Sequence, residues 1–160
     1  MKSRSMQLWA SLLLACIVSS AGTLYAQDNL TFKVLSTKIV TKVVGANGSS
    51  VTWENAESAK GMILELLVIV PKDTTLWAPD FDIAYQHENS DEDRGKCRGI
   101  TTVVSSPDDE GSWIIGDYSK VTAKKGTRYV KLLFPIESDV KSFSLQFSQP
   151  MVKTVPVNRD

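Results

Sequence analysis

Apolar and polar residues alternate in several short segments of the chain. Residues 80–85 and 143–148 each place a large apolar side chain at every second position. This two-residue period is typical of strands with one face toward a core. After residue 26, no window of twelve residues carries a clean apolar stripe with the 3.6-residue period of a helix, so the pattern predicts an all-β domain. The predicted inward-facing residues include Phe81, Ile83, Leu132, Phe134 and Leu145.

The longest apolar run after the N-terminal region covers residues 62–71, and within it only Glu65 is charged. A run that is apolar at both odd and even positions predicts a central strand buried on both faces, which Pro71 ends. Turns are predicted at Asn47-Gly48, where the backbone readily adopts positive φ, and at Lys125-Gly126. About seven to nine strands with this spacing of turns predict an antiparallel sandwich of two sheets.

The N-terminal region has the three parts of a secretory signal peptide. Lys2 and Arg4 precede an apolar stretch at residues 8–18, and small residues follow it. The pattern predicts a signal peptide at residues 1–26, cleaved after Ala26, and a single domain at residues 27–160. The apolar stretch is shorter than the ~20 residues of a membrane-spanning helix, so we expect no transmembrane anchor after cleavage. The alternative is a lipoprotein acylated at Cys16, since Leu13-Leu14-Ala15-Cys16 resembles a lipoprotein box.

Charge and cysteine content narrow the class of protein. Removing residues 1–26 takes away Lys2 and Arg4 and leaves 16 basic against 18 acidic side chains, so no nucleic-acid partner is expected. Only Cys97 remains after cleavage, and an intradomain disulfide is therefore excluded. An exported domain without disulfides indicates a bacterial envelope protein, periplasmic or extracellular, stabilised by burial. Cys97 is interpreted as a buried thiol, with pairing between chains as the alternative.

Residues 60–148 resemble a family of small immunoglobulin-like domains found in bacterial secreted antigens and lipoproteins, many of uncharacterised function. The matching parts are the long apolar strand at 63–70, Ala78-Pro79-Asp80-Phe81-Asp82-Ile83, the turn Lys125-Gly126-Thr127 with the strand at 130–135, and the closing segment at 143–147. Pro71 and Lys125-Gly126 stand where that family has Asn and Pro-Gly. The resemblance implies an immunoglobulin-like sandwich with interaction or unknown roles, and it transfers no catalytic residue.

Candidate catalytic and metal-binding groups are few. His87 is the only histidine, and a thiol hydrolase would need it to activate Cys97, ten residues away in one charged loop predicted at 87–99. Zinc needs three or four Cys or His ligands, which the chain lacks after cleavage. The acidic residues at 91–93 and 108–110 do not match a calcium loop and are interpreted as solvated turn residues. We therefore expect no enzyme, no metal and no cofactor, with a hydrolase around His87 as a minor alternative.

Aromatic residues outside the predicted core are the remaining candidates for binding. Trp77 follows Leu76 in a predicted loop, Trp113 follows a Gly-Ser turn, and Tyr118 lies shortly after it. Exposed aromatic side chains often contact protein partners or sugars, although tryptophans can also cap a core or cover a sheet edge. The function predicted here is a non-catalytic envelope binding module for an envelope protein or a second copy. The alternative is a carbohydrate or calcium-assisted ligand-binding module that uses Trp77 or Trp113.

Overall fold

The computed structural model describes residues 23–25, 30–53, 59–86, 92–137, 140, 142–147 and 155–158. These residues form fourteen strands and one short 3-10 helix, Ala78–Asp80. In chain order, the strands are β1 Thr23–Tyr25, β2 Thr31–Val40, β3 Lys42–Val44, β4 Ser50–Thr52, β5 Ala59–Val70, β6 Thr74–Trp77, β7 Phe81–Gln86, β8 Glu92–Lys96, β9 Gly99–Thr101, β10 Trp113–Ile115, β11 Lys120–Ala123, β12 Gly126–Glu137, β13 Ser142–Phe147 and β14 Val155–Asn158.

The strands form four antiparallel sheets. The largest has six strands in the order β1-β2-β5-β12-β9-β10, and the next has four in the order β14-β13-β7-β8. Two small sheets pair β11 with β6 and β3 with β4. There are more strands than the seven to nine predicted, because single extended segments change partners. β2 pairs with β5 up to Val40, for example, and the chain then continues as β3, which pairs with β4.

The core lies between the six-stranded sheet and the sheets that contain β7, β13, β6 and β11. Phe32 of β2 contacts Phe81 of β7 edge to face, with ring centroids 5.5 Å apart, and Phe147 of β13 packs against both rings. The five side chains predicted to face inward are all at most 1% exposed: Phe81, Ile83, Leu132, Phe134 and Leu145. The predicted all-β antiparallel sandwich is therefore confirmed.

β5 is the central strand that the apolar run predicted, and it pairs with β2 on one side and β12 on the other. Its burial differs from the prediction. Met62 and the other even-numbered side chains up to Val70 are buried, but the opposite face is only half covered and Ile69 is 47% exposed. The two faces differ because only one face of the six-stranded sheet packs on the core. On the other, outer face, Glu65 accepts a hydrogen bond from Ser36.

Two further sequence predictions have definite outcomes. Gly48 in the predicted Asn-Gly turn has a φ of 80°, the left-handed conformation that glycine adopts without a Cβ penalty. The loop predicted at 87–99 is wrong for Glu92–Lys96, which forms β8 and pairs with β7. Its charged side chains suggested a loop, but the free backbone edge of β7 supplies hydrogen-bond partners whatever the side chains are.

Most of the predicted signal peptide, including Cys16, lies outside the described residues. His87 also lies outside them. Its described part, Thr23–Tyr25, forms β1 and pairs with Thr31–Lys33 of β2. No helix in the described part of the chain is long and apolar enough to cross a membrane.

Candidate functional site

The two-stranded sheet of β6 and β11 presents one buried and one exposed face. Leu76 pairs with Val121, and both side chains belong to the core. The alternate residues point outward, where Trp77 pairs with Lys120 and Thr75 pairs with Thr122. Asp73 and Lys124 extend the outward face just beyond the strand ends. We call this set the β6–β11 strip, defined as Asp73, Thr75, Trp77, Lys120, Thr122 and Lys124.

Trp77 is the aromatic residue of the strip. Its side chain is 40% exposed, and the Lys120 ammonium lies 4.8 Å from the centroid of its ring. Such a cation–π contact is worth ~0.5–1 kcal/mol at an exposed site. The sequence predicted Trp77 in a loop, which is wrong, because β11 supplies backbone partners for β6 and Leu76 anchors the strand in the core. Trp77 is therefore held on a strand rather than on a free loop.

An ion pair closes one end of the strip. The Lys124 ammonium lies 2.7 Å from Oδ2 of Asp73, and the backbone N–H of Lys125 donates to Oδ1 over 2.8 Å. The hydrogen bond from Lys124, together with that from Lys125, holds the pKa of Asp73 below its usual value. Lys124 is thus neutralised. Lys120 and Lys125 have no acidic side chain at ion-pair distance among the described residues, so this region carries excess positive charge.

Tyr118 lies near the other end, two residues before Lys120, which pairs with Trp77. The carbonyl oxygen of Ser119 accepts a hydrogen bond from the N–H of Ala78 at 2.8 Å, which ties the residue after Tyr118 to the residue after Trp77. Ser119 is itself buried and bonded to Gly116. Tyr118 has a fixed backbone position, yet its side chain is 82% exposed. The structure therefore brings together two of the three predicted contact residues.

Trp113, the third predicted residue, belongs to another part of the surface. It lies on β10 at the edge of the six-stranded sheet, where it pairs with Thr101 and its carbonyl oxygen accepts a hydrogen bond from the N–H of Ala46. Its side chain is half-buried. This arrangement fits the edge-covering interpretation of Trp113. It also means that the strip has one tryptophan rather than two.

Lys120, Thr75 and Thr122 were not identified as candidates from the sequence. Lys120-Val121-Thr122-Ala123 does alternate polar and apolar positions, which was a signal for a strand with an outward polar face. However, no pattern in the sequence predicts that β11 pairs with β6. The register that sets Lys120 opposite Trp77 therefore came only from the structure.

The Cys97 thiol is buried, as predicted. It is 2% exposed, and Sγ donates to the carbonyl oxygen of Gly99 at 3.1 Å. Burial raises the pKa of the Cys97 thiol to about 12, which keeps it protonated and unreactive at neutral pH. Among the described residues, no three His, Cys, Asp or Glu side chains are grouped so that they could hold a metal ion.

No family model and no curated protein matches the chain. The chain is similar to an uncharacterised β-sandwich protein from Clostridium difficile 630, with a TM-score of 0.47 and 10% sequence identity. The match covers 84% of this chain and 89% of that protein. The β-sandwich architecture itself follows from the strand pairing and the shared core of the sheets described above.

Proposed function

We propose that this chain is an exported, non-catalytic binding module of the bacterial cell envelope, which contacts its partner through the β6–β11 strip and Tyr118. The N-terminal pattern of residues 1–26 supports export. The resemblance to immunoglobulin-like domains of secreted bacterial proteins supports a location in the cell envelope. The sandwich suits a binding role because a rigid scaffold of paired strands holds exposed side chains in position.

The observation that carries the proposal is the joint exposure of Trp77 and Tyr118. In the described residues, five large apolar or aromatic side chains are exposed, and these are the two aromatic ones among them. Their backbones are held near each other, because the residues that follow them, Ala78 and Ser119, are hydrogen-bonded to each other. Large, rigid aromatic side chains anchor interfaces at a low cost in conformational entropy, and they are over-represented among residues that dominate binding.

The absence of a catalytic role is supported by the state of the one candidate nucleophile. Cys97 is buried and protonated, and its Sγ is bonded to the carbonyl oxygen of Gly99. A thiol hydrolase needs an accessible thiolate beside a base. The carboxylates of Asp108, Asp109 and Glu110 are all exposed in one turn, as expected for solvated residues.

A glycan partner is the second candidate, and the row of hydroxyl groups on the strip favours it. Thr75 and Thr122 lie directly opposite each other, between the Trp77 row and the Asp73 row. Aromatic rings with nearby hydroxyl groups can contact both the apolar and the polar faces of a sugar. This candidate differs from the sequence prediction in two ways: it uses Trp77 without Trp113, and it requires no calcium.

Export and binding are tested separately. The full chain is expressed in a bacterial host, and mass spectrometry of the envelope fraction is expected to show a protein that begins at Gln27. A cytoplasmic chain of full mass contradicts export. For binding, a photo-cross-linking amino acid replaces Tyr118, with the same replacement at Ile69 as the matched exposed control. Capture of one envelope component at Tyr118 and not at Ile69 supports the proposal, and equal or absent capture at both contradicts it.

A further inference from the structure

The geometry of the β6–β11 strip points to one class of ligand, and we propose that the strip binds a linear acidic polysaccharide whose sugar units carry carboxylates. This inference rests on the proposed function, for which it names the partner. It follows from the shape of the strip, its hydrogen-bonding groups and its charge.

The strip is long, flat and narrow. Its three rows pair Trp77 with Lys120, Thr75 with Thr122, and Asp73 with Lys124. Neighbouring rows are two residues apart, so the first and third rows are separated by roughly 13 Å at a rise of ~3.3 Å per residue. Two strands about 5 Å apart give a flat area on the order of 100 Å². A standard protein interface covers about 800 Å² on each partner, so an extended chain fits this strip better than a protein face.

The groups along the strip suit a sugar chain. Trp77 provides an aromatic surface at one end, and the ring of Tyr118, two residues before Lys120 in the chain, is also exposed. The hydroxyl groups of Thr75 and Thr122 are exposed and form no side-chain hydrogen bond among the described residues. They are therefore available to donate to and accept from sugar hydroxyls. The middle row can therefore hydrogen-bond one sugar unit, while the neighbouring units of the chain lie over the two outer rows.

The charge of the strip selects an acidic chain over a neutral one. Asp73 neutralises Lys124, whereas Lys120 and Lys125 have no acidic partner in the described part of the chain. A carboxylate on the sugar can pair with Lys120. Since Lys120 contacts the Trp77 ring only through an exposed cation–π interaction, that pairing can also draw the ammonium away from the indole. One ligand group then satisfies the cation and opens the aromatic face for the adjoining sugar.

The test uses the protein purified from the envelope fraction and three probes: oligogalacturonate, a neutral dextran oligosaccharide and oligoglutamate. Calorimetry and tryptophan fluorescence are expected to show binding of oligogalacturonate alone. Trp77→Ala and Lys120→Gln should each weaken it by about tenfold or more, as expected for residues that dominate binding. Lys38→Gln is the matched control, because it removes an exposed lysine from β2 with the same charge change, and its binding should equal that of the wild type.

Each other outcome contradicts the inference. Equal binding of oligoglutamate would mean that charge alone is recognised, and equal binding of dextran would remove the role of the carboxylates. Failure of all three probes, or of Lys120→Gln to weaken binding in a protein with unchanged thermal unfolding, would also overturn the inference. The proposed function is tested separately: if cross-linking at Tyr118 captures an envelope protein while oligogalacturonate does not bind, the inference fails and the module remains a binding protein with a different partner.

Discussion

The indole ring of Trp53 lies against Gly61, in the space that a Cβ atom would fill at that position. An ideal Cβ built on Gly61 stands 2.6 Å from Cη2 of Trp53 and 2.9 Å from Cε3. Gly61 is on β5, between Val40 of β2 and Pro135 of β12. Glycine in a strand interior is unfavourable by itself, and it often marks a place where another group approaches the backbone. Here that group is the tryptophan ring, which covers this end of the outer face.

Gly61→Ala is expected to destabilise the protein, because the added methyl group overlaps the Trp53 ring. Overpacking of this kind costs about 1–3 kcal/mol. The free energy of unfolding, measured by urea denaturation, should fall by that amount. The slope of the transition should stay unchanged, since the surface exposed on unfolding is almost the same.

A double-mutant cycle with Trp53→Ala separates this effect from strand propensity. Removal of the ring makes room for the methyl group, so Gly61→Ala should be neutral or slightly stabilising in the Trp53→Ala background. If the loss caused by Gly61→Ala is the same in both backgrounds, the packing of Trp53 on Gly61 is not its cause.

The core was predictable from the sequence, whereas the candidate site was predictable only in part. The inward positions of Phe81 and Ile83 follow from the two-residue period, which fixes the face of a strand without knowledge of its neighbours. The strip depends on the pairing of Trp77 with Lys120, and these residues are far apart in the chain. Composition also misled for β8, since its charges resemble those of a loop although its backbone pairs with β7.

Phe81→Ala is expected to be among the most destabilising substitutions in the domain. The ring is fully buried and contacts Phe32 and Phe147 with centroid distances of 5.5 and 4.7 Å. Its loss removes buried apolar surface and leaves a cavity between the two sheets, at a cost of about 3–5 kcal/mol. Urea denaturation measures the change. Tyr118→Ala is the comparison, since that side chain is exposed and its loss should change stability by less than about 0.5 kcal/mol.

Stability should fall as the pH rises above about 9, because of Cys97. The pKa of the thiol is raised from 9.0 to about 12 by burial, so between these values the unfolded chain loses the proton and the folded chain keeps it. The folded state then binds more protons, and the free energy of unfolding decreases with pH. The full contribution is present below pH 9 and is lost on approach to pH 12. At about pH 10.5 the loss amounts to about 2 kcal/mol.

Cys97→Ala isolates this contribution from that of the lysines and tyrosines. As the pH rises from about 8 to about 10.5, the wild type should lose stability relative to Cys97→Ala, because only the wild type has the buried thiol. Two parallel pH profiles would show that burial of the thiol has no such effect. A thiol reagent provides a second measurement, since it should modify Cys97 slowly in the native protein and rapidly in urea.

Lys120→Gln is expected to make the Trp77 ring more accessible without unfolding the strip. The ammonium covers the ring from 4.8 Å, and a glutamine side chain lacks both the charge and the length to do so. Acrylamide quenching of tryptophan fluorescence should therefore increase, while the stability changes by no more than ~1 kcal/mol. Trp77→Phe shows whether the added quenching comes from Trp77. The remaining described tryptophans, Trp53 and Trp113, are half-buried. The increase should vanish in the Lys120→Gln, Trp77→Phe double variant, and its persistence there would place the affected ring elsewhere.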